Sequence, residues 1–121
     1  MTLDTNILIA YLNGERAVVD FVLEQKEVGR ALFISSITVA ELLSLPNLSR
    51  ADGDRIKDFV SNFISIPLDN ALAEQAATLR RVYTLTLPDA VIAATALIQQ
   101  SPLITRDRGF RKVKELTFID L

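Results

Sequence analysis

The chain predicts an α/β fold, a parallel sheet with helices on both faces, and three observations carry that prediction. Short apolar runs alternate with longer segments whose apolar residues recur at helical spacing. The 121 residues are 50% apolar, which suits one core and a single domain over residues 1–121. No repeat, low-complexity tract or long linker interrupts the alternation. Strands that are apolar throughout are buried on both faces, and helical segments between them supply the crossovers that parallel pairing needs.

The elements follow in order. A very short strand at the N-terminus leads into a helix over 5–12, with Ile7, Leu8, Tyr11 and Leu12 on its apolar face, and Asn13-Gly14 stops it. A second helix spans 15–28 with a broad apolar face from Val18, Val19, Phe21, Val22 and Leu23, and Gly29 ends it. Residues 31–35 form a buried strand. Ser35 or Ser36 then caps a helix carrying Val39, Leu42 and Leu43 that ends near Pro46. An amphipathic helix over 52–63 presents Ile56, Phe59, Val60 and Phe63, and a short strand at 64–66 follows. An Ala/Leu-rich helix covers 70–83, Pro88 opens another that runs to about Gln100, and strands at 103–105 and 117–119 close the chain.

What the composition lacks narrows the chemistry. The chain contains no histidine and no cysteine, so imidazole bases, thiol nucleophiles, disulfides and His- or Cys-ligated metals are excluded. Absent cysteine fits a reducing cytoplasm, which is the expected location. The N-terminus has no secretory pattern, and the apolar run 90–98 is far short of the ~20 residues a membrane span needs. What remains is carboxylates, hydroxyls, amides, Lys and Arg, a set suited to hard cations such as Mg²⁺ or Mn²⁺.

Sites in parallel sheets form at the carboxyl ends of strands, where the strand order reverses. Four acids fall at such ends: Asp4 after the first strand, Glu41 early in the helix after 31–35, Asp89 behind Pro88, and Asp107 just past 103–105. Taken singly, each has an ordinary explanation. Asp4 and Asp89 suit helix starts, and Asp107 between Arg106 and Arg108 suits a surface ion pair. Together they suggest a cluster, because carboxylates in apolar sequence are costly until something neutralises them, and a divalent cation does so. Thr5, Asn6 and Thr105 are placed to orient a carboxylate or a water.

Leu3-Asp4-Thr5-Asn6, Val39-Ala40-Glu41-Leu42, Leu87-Pro88-Asp89-Ala90-Val91-Ile92-Ala93-Ala94 and Leu103-Ile104-Thr105-Arg106-Asp107 occur in an order that resembles the PIN domain. The likeness is greatest to the VapC-like ribonuclease toxins of type II toxin–antitoxin systems. It implies a three-layer α/β/α sandwich around a parallel sheet and an acidic pocket for Mg²⁺ or Mn²⁺. It further implies endoribonuclease activity on RNA, homodimers, and inhibition by a cognate antitoxin. By position Asp4, Glu41, Asp89 and Asp107 match the metal-binding acids and Thr105 the active-site hydroxyl. Where some members carry a further acid, this chain has Gly109.

Without imidazole, general-base duty falls to a carboxylate, Asp4 or Asp89, or to water activated by the ion. Basic residues gather at Arg106, Arg108, Arg111, Lys112 and Lys114, with Arg80 and Arg81 apart from them. Arg106 and Arg108 are the candidates for RNA phosphates, while Lys112 and Lys114 read as solvated. The formal charge of -2 hides an asymmetry: without the four acids, 11 acids face 13 bases. Two other readings stand beside this one. A non-catalytic PIN-like module binding RNA or protein would use the acids as caps. A receiver domain would want adjacent acids after the first strand, which the lone Asp4 does not supply.

Overall fold

The computed structural model describes all 121 residues. Five strands, β1 (Thr2–Leu3), β2 (Phe33–Ser35), β3 (Ile64–Ile66), β4 (Leu103–Ile104) and β5 (Phe118–Ile119), pair in parallel in the order β3-β2-β1-β4-β5. From central β1 the chain first builds outward to β2 and β3, then returns to lay β4 and β5 on the other side. Order therefore reverses at β1. The helices are α1 (Thr5–Leu12), α2 (Arg16–Glu27), α3 (Ser36–Leu43), α4 (Arg50–Val60), α5 (Asn70–Tyr83) and α6 (Leu87–Ile98).

Alternation along the strands divides the core. Leu103 packs into a cluster with Leu72, Ala76 and Leu79 of α5 and the buried stretch of α6. Its neighbour Ile104 turns to the opposite face and joins Leu3, Ile34, Ile7 and Leu8 of α1, Val18 and Val22 of α2, and Ile56 of α4. This is the predicted sandwich, and the apolar strand runs are its cause: each face of the sheet has a helical layer to bury into. Helix α6 is buried from Ala90 through Ala96, as a helix apolar on every side must be. No single helix is long and apolar enough to cross a membrane.

Boundaries shift where caps outrank apolar spacing. Helix α4 begins at Arg50 rather than Asp52 because Ser49 and Asp52 form a reciprocal capping box, which satisfies two orphan amides at once. It ends at Val60, and Phe63 is buried in the turn beyond. Helix α3 stops at Leu43, and α6 at Ile98. Gly14 and Gly29, with φ of 76° and 78°, supply the left-handed turns after α1 and α2. The basic stretch after β4 contains a short 3-10 turn, Arg108–Lys112, that the sequence pattern did not suggest.

Candidate active site

The reversal of strand order brings the ends of β1 and β4 side by side, with Asp4 and Asp107 just beyond them. Asp4 follows β1 and is only 4% exposed. It holds the N-cap position of α1, yet its side chain makes no capping hydrogen bond. Instead, the Thr105 hydroxyl, at the end of β4, donates to Asp4 Oδ2 at 2.8 Å. Thr105 in turn accepts the Asp107 amide at 3.0 Å. Burial pushes the Asp4 carboxyl up to about 6 from 3.8; the Thr105 hydrogen bond opposes this, and the charges of Asp89 and Asp107 add to it.

Asp89 occupies the first turn of α6, where Thr86 caps the helix by accepting the Asp89 amide. Its carboxyl is raised as well, first by burial, with Asp107 and Glu41 adding to the rise against the Thr86 hydrogen bond and Lys112. Glu41 lies near the end of α3, and Thr5 donates to its Oε1 at 2.7 Å. The four acids thus feel one another, while no ion pair engages any of them. Even so, no three carboxylates stand close enough together to hold one metal ion.

Asp107 is exposed and turns back on its own chain, accepting the Gly109 amide at 2.8 Å to start the 3-10 turn. A side chain at Gly109 would press on it, since a Cβ there lies 3.0 Å from Asp107 Oδ1. Asn6 is exposed with no side-chain partner, apart from the hydrogen-bonded set. Arg106 pairs with Glu15 at 2.7 Å rather than with Asp107, and its Nε donates to the Leu121 carbonyl. Arg108 has no ion-pair partner; with Arg106, Arg111, Asp120 and Leu121 it lines a cavity of about 210 Å³.

Two contacts near the acids were not read from the sequence, although Lys112 is exposed as expected. Lys112 reaches back to the Thr84 carbonyl at 3.2 Å, close enough for its charge to act on Asp89. Thr38 of α3, fully buried, places its hydroxyl 2.9 Å from that of Thr5. Its position three residues before Glu41, one helical turn away, was the available signal.

An α/β/α sandwich with acids gathered where strand order reverses defines a class of small acidic-site domains built on a parallel sheet. The PIN domain family model matches residues 1–116. This chain belongs to the PIN domain family. A chain of a toxin–antitoxin complex from Klebsiella pneumoniae is 31% identical, with a TM-score of 0.80 over 96% of this chain and 94% of that one. VapBC2 from Rickettsia felis, bound to a DNA fragment from its promoter, superposes with a TM-score of 0.85 at 20% identity, covering 99% and 97%; that likeness is one of fold. An uncharacterised protein of Archaeoglobus fulgidus is 48% identical over 44 residues, 36% of this chain and 70% of that protein.

Proposed function

We propose that this chain is a metal-dependent endoribonuclease that hydrolyses RNA phosphodiester bonds, and the toxin of a toxin–antitoxin pair. One observation carries the reading: Asp4 is buried among like charges without a cationic partner. A carboxylate so placed calls for a cation to neutralise it. The donor set is entirely oxygen, which suits Mg²⁺ or Mn²⁺. Asp4, Glu41, Asp89 and Asp107 are the residues proposed to hold it.

When bound, such an ion offsets phosphoryl charge and makes water a better nucleophile. The protein's own groups do the remainder. Asp4 and Asp89 are the candidates to take the proton of the attacking water. Thr105 and Thr5 orient the carboxylates they touch. Arg108, unpaired beside Asp107, meets an RNA phosphate. The antitoxin and a second copy of the chain are the proposed protein partners.

Incubation with structured RNAs and Mg²⁺ or Mn²⁺, with chelator and Asp4→Asn as controls, tests the enzyme reading. Cleavage that survives both controls ends the metal-site proposal. A non-catalytic module draws support from the capping role of Asp107, and absence of metal-stimulated cleavage would favour it. A small reading frame upstream encoding a protein that co-purifies with this one tests the antitoxin assignment.

A further inference from the structure

We infer that Thr38 is a positioning residue whose hydroxyl fixes the direction in which Thr5 donates, and thereby which oxygen Glu41 presents to the site. This rests on the reading of the four acids as a divalent-cation site. A hydroxyl has one proton to give. Thr5 Oγ1 lies 2.7 Å from Glu41 Oε1 and 2.9 Å from Thr38 Oγ1. Its proton goes to the carboxylate, so Thr38 must supply its own proton to Thr5. The order runs Thr38 to Thr5 to Glu41 Oε1, and Oε2 is left without a protein partner.

Thr38 departs from the ordinary behaviour of its kind. A threonine within a helix commonly returns its hydroxyl to the carbonyl four residues back, and Thr95 of α6 does so, donating to Val91 at 2.8 Å. Thr38 instead directs its hydroxyl out of α3 toward Thr5, a residue 33 positions away. The other side of the site has the same construction. There Thr105 Oγ1 accepts the Asp107 amide while its own proton is donated to Asp4 Oδ2. Each carboxylate has one oxygen held by a threonine, and each threonine is itself held by a second donor.

Thr38→Val and Thr38→Ser separate this role from simple packing. A valine methyl cannot approach Thr5 Oγ1 at the observed hydrogen-bond distance and displaces it, whereas serine restores the donor. Mn²⁺ alone is titrated calorimetrically into the full chain. Thr38→Val is expected to weaken binding about tenfold, the lower end for groups that orient metal-holding side chains, and Thr38→Ser to recover it. Thr38→Val in a Thr5→Val background is expected to add no further loss, because Thr38 acts through Thr5.

The Glu41 carboxyl ¹³C resonance of the metal-free protein, shifted by Thr38→Val and not by Thr38→Ser, reads the same arrangement without metal. Should Val at 38 prevent folding, Thr38→Ala removes the donor equally and carries the same test. Wild-type binding in Thr38→Val, or losses that add in the double variant, overturns the inference. If wild type itself binds no Mn²⁺, the proposed function fails, and the carboxyl resonance alone decides the role of Thr38.

Discussion

Replacing Asp4 by Asn is expected to make the metal-free protein more stable while abolishing the proposed activity. Burial holds the Asp4 carboxyl at about 6 against 3.8 for a free aspartate. At ~1.4 kcal/mol per unit, ionised Asp4 costs the fold about 3 kcal/mol at neutral pH. Because this pKa is raised, the penalty is complete above about 6, shrinks as pH falls, and vanishes once the carboxyl is protonated in both states. Asparagine keeps an acceptor for Thr105 but adds amide protons that need partners, so a net gain of about 2 kcal/mol is expected at pH 7.5. For a chain of this length that raises Tm by about 8 °C.

Thermal unfolding in chelator at pH 7.5 and pH 4 checks this. The advantage of Asp4→Asn should fall below about 1 kcal/mol at the lower pH, where wild-type Asp4 is neutral in the fold. Added Mn²⁺ should raise the wild-type midpoint and leave the variant nearly unmoved. A variant less stable than wild type at pH 7.5, or a difference that does not change with pH, refutes the reasoning.

Other outcomes follow from single contacts. Thr105→Val removes the donor that holds the Asp4 carboxyl down, so its pKa should rise further; an unchanged carboxyl ¹³C titration counts against that contact. Arg108→Ala should lower the slope of log RNA affinity against log salt by about 1, and an unaltered slope removes Arg108 from the phosphate contacts. Ser49→Ala breaks the α4 capping box and should cost about 1 kcal/mol in denaturant unfolding. RNA cleavage should be untouched by that change, since Ser49 lies in none of the proposed machinery.

The sheet and its helices were legible because apolar runs and helical spacing report burial directly, and α1 and α5 have the bounds the pattern indicates. Asp4 was legible for a related reason, a carboxylate set in apolar sequence beside a strand end. Less legible were features decided by hydrogen bonds between residues far apart in the chain. The spacing of Thr38 from Glu41 places both on one helix face but does not reveal that its hydroxyl crosses to α1. Lys112, one of five basic residues close together, gives no sign that it reaches the Thr84 carbonyl after α5. The 3-10 turn after Asp107 depends on one side chain accepting one amide, too small a signal to stand out against charge.

The Thr105–Asp4 hydrogen bond joins residues 101 positions apart, and central β1 has only β2 beside it until β4 arrives. During synthesis, Asp4 emerges from the ribosome 101 residues ahead of Thr105, its hydrogen-bond partner. Closing so long a loop is slow and depends on β4 docking correctly. A nascent or truncated chain ending before β4 therefore lacks both the hydroxyl on Asp4 and one neighbour of the central strand. For a protein whose proposed activity destroys RNA, such an order of assembly delays the chemistry until β4 has been made and docked beside β1.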